Sequence, residues 1–410
     1  MASIPIFTRR DFLSQGLGIV GVGAGIPLFL ARSSLAAAKS ADDRVLVVLQ
    51  LSGGHDGLSA VVPFSNEHYQ KARRATRISE NEVLKINDDF GLHPNLKKCR
   101  DLLEKGQFTA LHGVGYPNPN RSHFKSMDIW HLADNTARKY TQGWVGRYSD
   151  VACRGDGNPM VTLAVGGDKT PLAIQGTEHP GLSIRQPETF RYVAAGQLGM
   201  EYRKLNREAM QSPNVALDFV SRTALVADEC SETIQRLAAR RQPKVSYPTT
   251  TLGTSLRTVA NLLAGGLKTR VYYVFHGGFD THSGQRQRHD RLMLDLDQAI
   301  AAFLDDLAEL KLSDRVVTMA FSEFGRRVQE NFSQGTDHGV AGPMFLFGSR
   351  IKPGLHGRFP SLAPEDLLAG DLKHTLDFRS VYATVLEKWL GTPSAPILGQ
   401  QFDLINCLQA

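Results

Sequence analysis

The feature that most constrains this chain is an apolar run that stops abruptly at a glycine-rich polar motif. Residues 44–51 read Arg44-Val45-Leu46-Val47-Val48-Leu49-Gln50-Leu51 and lead directly into Ser52-Gly53-Gly54-His55-Asp56-Gly57. An apolar run without alternation is the pattern of a strand covered on both faces, as in the centre of a parallel sheet. Similar runs predict strands over 108–114, 160–165, 271–276, 315–321 and 344–347. Helical patterns lie between several of them. The clearest puts Leu292, Leu296, Ile300, Phe303, Leu304, Leu307 and Leu310 on one face and Asp295, Asp305 and Asp306 elsewhere. Strand and helix in alternation mean an α/β fold with a mostly parallel central sheet.

In such sheets ligands gather beyond the carboxyl ends of the strands, and the polar motifs of this chain fall there. Asp56 follows the first strand. Gly115-Tyr116-Pro117-Asn118-Pro119-Asn120-Arg121-Ser122-His123 follows the second. His276-Gly277-Gly278-Phe279-Asp280-Thr281-His282 and Ser322-Glu323-Phe324-Gly325-Arg326 follow two later ones, with Asp337-His338-Gly339 a short loop further on. The stretch 155–265 carries few clusters of this kind and reads as an insertion or cap on the main sheet.

Composition narrows the possibilities. The net charge of +6 is spread along 410 residues without a basic stripe, which gives no sign of nucleic-acid binding. Cys99, Cys153, Cys230 and Cys407 stand far apart, which excludes a disulfide scaffold or thiolate zinc site as the organising feature. No Gly-x-Ser-x-Gly elbow is present, and Gly113-x-Gly115 lacks the spacing of a dinucleotide loop. At the N-terminus, Arg9-Arg10 precede a short apolar segment over 16–31 and Ala36-Ala37-Ala38. This is the pattern of a cleaved twin-arginine export signal over 1–38, with a retained anchor as the alternative. Cleavage leaves one domain over 39–410 with a charge of +4 and no apolar segment long enough to span a membrane.

Asp280-x-His282 places a carboxylate and an imidazole on one short loop, and Asp337-His338 is a second such pair. Asp56, Glu323 and His374 bring the candidates to seven, about the number a two-ion centre uses. Ser122 opens a helix predicted over 122–131, where free backbone N–H groups favour an anion. It is a candidate nucleophile or, equally, a plain N-cap. Arg121 and Arg326 are candidate oxyanion grips, or salt-bridge partners. His55, His112, His123 and His276 rank lower as strand-end wall residues, and His289 is expected on the solvated face of its helix.

Together these motifs resemble the bacterial family catalogued as domain of unknown function 1501, over about residues 44–390. That family is similar to the alkaline phosphatase and sulfatase superfamily. The resemblance implies a three-layer α/β/α sandwich with divalent metals at the strand ends, and Ser122 in the nucleophile's place. It implies two ions of zinc, manganese or calcium: Asp56, Asp337 and His338 on one, Asp280, His282 and His374 on the other, Glu323 extra or bridging. In the superfamily the Asp-His pair follows its strand directly. Here Glu323 stands in that place and Asp337-His338 comes fourteen residues later. Either Glu323 substitutes as ligand or the loop returns the pair. A sulfatase-type Cys-x-Pro-x-Arg is absent, which argues against formylglycine chemistry.

The resulting expectation is a periplasmic or secreted metal-dependent hydrolase of a small anionic phosphate or sulfate ester, delivered by the twin-arginine machinery. The alternative is a non-catalytic periplasmic binding or assembly protein on the same fold.

Overall fold

The computed structural model describes residues 43–136, 138–155, 158–167, 169–190, 196–209 and 214–409; the expected export signal lies outside them. Among the described residues the main sheet contains, in chain order, β1 (Val45–Ser52), β2 (Phe108–Gly115), β3 (Thr162–Val165), β4 (Leu182–Ile184), β5 (Val271–Gly277), β6 (Val316–Phe321), β7 (Gly342–Phe347), β8 (Gly354–His356) and β9 (Leu376–Asp377). In space the order is β8-β2-β7-β6-β1-β5-β3-β4, with β9 also pairing with β2. Every pairing is parallel except those of β7, which runs antiparallel to both β2 and β6.

β1 is central, paired with β5 (Leu46 opposite Val271) and β6 (Leu46 opposite Val317). That position explains its composition. Val45, Val47, Leu49 and Leu51 enter the core on one face, and Leu46 and Val48 the core on the other. The first face is covered by α1 (Lys97–Glu104), with α4 (Thr251–Ala264) and α5 (Gln285–Glu309). The second is covered by α2 (His123–Leu132), α3 (Trp144–Ala152) and α6 (Phe378–Thr384). Burying each such aliphatic side chain contributes roughly 1.5–3 kcal/mol, so a strand apolar on both sides is stable only between two helical layers. The fold is therefore a three-layer α/β/α sandwich with a mixed, mostly parallel sheet.

The stretch read as an insertion, 155–265, supplies β3 and β4 at one sheet edge and α4 on the core. β8 and β9 are too short to have shown in the sequence pattern. On α5 the expected apolar face holds, with Leu296, Ile300, Phe303, Leu304 and Leu307 buried, but one polar expectation does not. Asp306, off that face, is also fully buried, accepting from Tyr247 Oη at 3.0 Å and from the Arg241 guanidinium. His289 is 2% exposed, not on a solvated face; its ring stacks 5.5 Å from that of His55. Among the described residues no helix is long and apolar enough to cross a membrane.

Candidate metal centre

Because β2, β6, β1 and β5 point the same way, their carboxyl ends share one edge of the sheet. The loops that follow them are stitched together by Arg326, which is 1% exposed. Its Nε donates to Gly54 O at 2.7 Å, Nη1 to Thr336 O at 2.8 Å, and Nη2 to Phe279 O at 3.0 Å, to Gly53 O and to Asp280 Oδ1 at 2.6 Å. The planar fork thus fixes three loops and one carboxylate at once. Gly53 makes the crossing possible. It sits at φ +120°, and a Cβ there would overlap the backbone nitrogen of Asp280.

Around Asp280 stand three imidazoles whose outer nitrogens are all committed. His123 Nδ1–H donates to Glu323 Oε1 at 2.8 Å, His338 Nδ1–H to the Arg121 carbonyl at 2.8 Å, and His282 Nδ1–H to Asp337 Oδ1 at 3.2 Å. Each acceptor fixes the tautomer, so in the neutral rings Nε2 carries a lone pair. All three Nε2 atoms converge on the Asp280 carboxylate: His282 at 3.1 Å, His338 at 3.2 Å and His123 at 3.5 Å. The Nε2 atoms of His282 and His338 are 2.9 Å apart. Lone pairs facing lone pairs and a carboxylate repel; the arrangement becomes attractive only with a proton or a cation among them.

The residues fit a metal ion. His123, Asp280 and His338 each offer a ligand atom, all within 4.8 Å of one another, and among the described residues this is the group of three or more that does so. Tetrahedral bonds of 2.0–2.1 Å separate neighbouring ligand atoms by about 3.3 Å, close to the 3.5 Å and 3.2 Å at which the Nε2 atoms of His123 and His338 stand from the oxygens of Asp280. The nitrogen-rich donor set suits zinc and other transition ions and is unlike the all-oxygen cage calcium takes.

The electrostatics agree. Burial would raise the pKa of Asp280, but the hydrogen bond and the charge of Arg326 outweigh it and hold the carboxyl at about 2. The hydrogen bond to Glu323 raises the pKa of His123, while burial lowers that of His338.

The structure brings together Asp280, His282, Asp337 and His338, which the resemblance divided between two ions, with different tasks. Asp337 and Glu323 stand behind the imidazoles rather than beside the convergent atoms. Glu323 is 2% exposed and also accepts from Gly53 N at 2.9 Å and Ser322 Oγ at 3.0 Å. The loop after β6 does return the Asp-His pair: Arg326 and His338 form an antiparallel bridge, closed by Gly325 N to Val340 O at 3.1 Å.

Asp56 is not brought to this group. It is buried in an ion pair, accepting from Arg73 Nη1 at 2.7 Å and Nη2 at 3.1 Å and from Ser59 Oγ at 2.7 Å. Burial pushes its pKa up, but the Arg73 guanidinium more than compensates and holds it below the usual carboxylate range. His374 packs beside Gly115 and makes no hydrogen bond to the group. Arg326 is committed to the fold in every direction, so it cannot grip a substrate oxyanion. Arg121 is still at the rim, its guanidinium ion-paired with the buried Asp371, to which Arg327 also reaches at 3.4 Å. Ser122 is the exposed residue before α2, and its hydroxyl makes no capping bond. The plain N-cap reading of its side chain does not hold.

His123 is the functional candidate that motif reading ranked too low. Its signal was its place, directly after Ser122 at a strand-to-helix turn, but nothing local distinguishes it from a wall histidine.

None of the curated proteins matches the chain in sequence. Among solved structures it is similar to the lipoteichoic acid synthase LtaP from Listeria monocytogenes, at 9% identity and a TM-score of 0.45, covering 92% of this chain and 81% of that one. It is also similar to a protein in the alkaline phosphatase superfamily from Vibrio parahaemolyticus, at 10% identity and a TM-score of 0.37, covering 92% and 77%. A sulfatase from Pseudoalteromonas sp. matches at 11% identity and a TM-score of 0.36, covering 96% and 74%. Residues 43–399 match the family described as "Protein of unknown function (DUF1501)", and the chain belongs to that family.

Proposed function

We propose that this protein is a metal-dependent hydrolase, or transferase, of a phosphate or sulfate ester. The observation that carries the reading is the convergence of three Nε2 atoms on Asp280, with each Nδ1 held by its own acceptor. His123, Asp280, His282 and His338 would hold a single divalent ion, zinc before manganese, where the motifs alone suggested two. When bound, such an ion supplies a Lewis acid beside the reacting group.

The chain's own residues do the rest. Glu323, Asp337 and the Arg121 carbonyl keep the imidazoles in one tautomer and orientation. Arg326 keeps Asp280 ionised and in place. The free Ser122 hydroxyl, next in sequence to His123 at the start of α2, is the candidate nucleophile. It would form a bond to phosphorus or sulfur as the alcohol leaves with a proton. Water, or a second alcohol in a transfer, then releases the group from Ser122. The Arg121 side chain on the rim is the candidate for gripping the ester's free oxygens. The paired arginines at 9 and 10 support export to the periplasm or beyond by the twin-arginine machinery.

Elemental analysis of the purified chain tests this, beside Asp280→Asn and Asp56→Asn. About one divalent ion per chain is expected, lost in Asp280→Asn and retained in Asp56→Asn, with turnover of phosphate or sulfate esters following the metal. No uptake after reconstitution with zinc or manganese would overturn the reading and favour a non-catalytic binding or assembly protein. Two ions per chain, one lost with Asp56, would restore the two-ion centre.

A further inference from the structure

Arg326 is committed to the scaffold, but its neighbour Arg327 is not. Arg327 N donates to the Asp337 carbonyl at 3.0 Å, which roots the residue beside the Asp337-His338 pair. Arg121 is rooted at the same pair from a second loop, since its carbonyl accepts from His338 Nδ1–H at 2.8 Å. Both side chains then run to one carboxylate. Arg121 Nη2 donates to Asp371 Oδ2, and Arg327 Nε lies 3.4 Å from Asp371 Oδ1. Asp371 is fully buried and held in a tight turn. Leu368 N donates to Asp371 O at 2.9 Å and Asp371 N to Leu368 O at 3.1 Å, with Ala369 and Gly370 between them at positive φ.

One guanidinium is enough to neutralise Asp371, so the second leaves this cluster a positive charge to spare. It also leaves donors unspent. Arg121 uses only Nη2 and Arg327 only Nε on Asp371, and among the described residues the other nitrogens of both forks make no hydrogen bond. Both side chains are more than one-third exposed. Planar donors anchored by a buried carboxylate and open at their outer edges suit the oxygens of an anion. Asp280 and Asp337 are more exposed still, each about half, but they face the metal position. With a divalent ion bound, its charge and that of Arg326 are matched by Asp280, Asp337 and Glu323, and the charge left over is that of the arginine pair. Without the ion those acids repel an anion, so whatever the forks hold must depend on metal.

We propose that Arg121 and Arg327, positioned by Asp371, form a two-armed clamp that selects monoesters, with a terminal phosphate or sulfate group, over diesters. The selectivity rests on the function proposed above, the binding of an oxyanion only on the ion and the forks. In-line displacement leaves three substituents in the plane around the reacting atom. In a monoester all three are free oxygens, one for the ion and one for each fork. A diester offers only two. Its remaining ester oxygen sets a carbon against a guanidinium, which then loses water without gaining a partner. The spare charge of the pair favours the doubly charged phosphate over the sulfate.

The zinc-loaded full chain would be assayed with para-nitrophenyl phosphate, bis(para-nitrophenyl) phosphate and para-nitrophenyl sulfate, and titrated calorimetrically with inorganic phosphate. The wild-type chain should prefer the phosphate monoester and bind inorganic phosphate only when zinc is present. Arg327→Ala should keep its zinc yet weaken phosphate binding about 10–100-fold and lower the monoester-to-diester ratio of kcat/KM by a similar factor. Arg327→Lys, which keeps the charge without the fork, should fall between the two. Asp371→Asn separates positioning from charge. Removing a negative charge would by itself tighten phosphate binding, whereas forks without their anchor should bind it more weakly and raise KM for the monoester at unchanged zinc content. Faster turnover of the sulfate would keep the clamp and name sulfate as its ligand. Equal loss of monoester and diester turnover in Arg327→Ala, unchanged phosphate affinity there, or tighter phosphate binding in Asp371→Asn would overturn the clamp. Zinc-dependent phosphate binding that is lost with Arg327, on a chain that turns over no ester, would sink the proposed activity and leave the oxyanion clamp standing.

Discussion

At the scale of single residues, two acids that each follow a strand have separate roles. Glu323 holds the His123 ring from behind, so Glu323→Gln is expected to weaken zinc affinity 10–100-fold without unfolding the protein, measurable by competition with a chromogenic chelator. Asp56 looked like a ligand because it follows the first strand, yet both its oxygens serve Arg73 and their neighbours. Asp56→Asn should therefore cost about 3–5 kcal/mol of stability by leaving a buried guanidinium unpaired, read by denaturant titration, with metal content unchanged. Arg326→Ala should cost a similar amount and also abolish metal binding, because the loops and Asp280 lose their common donor. An arginine next to a strand end signals an anion site or a scaffold equally well; burial on every side decides for scaffold here.

Elements explain why the site has this shape. The Gly53-Gly54 turn lets the loop after β1 pass against the backbone that carries Asp280. Gly53→Ala forces a side chain into both a positive φ and an occupied space. The expected outcome is a loss of more than about 2 kcal/mol, seen as a lower unfolding temperature, together with loss of the metal. The loop after β6 is an antiparallel return, and it is this that brings His338 back over fourteen residues. Strand ends and motifs were legible from apolar runs and glycines. The return was not, because a hairpin closed by backbone bonds leaves no hydrophobic period to read.

For the whole molecule, acid sensitivity is the testable consequence of burying so many imidazoles. Burial lowers His55 and His112 to about 4 and His131 to about 3. Their folded pKa values lie below the unfolded value near 6.5, so the unfolded chain takes up protons first as pH falls. Stability is then full above about 6.5 and lost progressively down to about 4 for His55 and His112 and about 3 for His131, by about 3 kcal/mol for each of the first two and about 5 for the last. Unfolding free energy measured from pH 7 to 4.5 should fall with a slope of more than one proton. A flat profile across that window would mean these rings are protonated, or hydrated, in the folded protein. Below that range the depressed carboxyl of Asp56 adds a further loss.

By itself the sequence determined the layers. Uninterrupted apolar strands can be stable only between two helical faces, and the motifs at their ends must lie along one edge of a parallel sheet. It also named Asp280, His282 and His338, because a carboxylate and an imidazole on one short loop stay together in any fold. Tertiary structure alone decided which groups share a centre. His123, Glu323 and Asp280 are separated by 43 residues or more in sequence, and their distances depend on how strands on either side of β1 align. It decided likewise that Asp56 and Arg326 work inside the scaffold, since solvent access and the direction of a buried hydrogen bond are properties of packing, which no local pattern encodes.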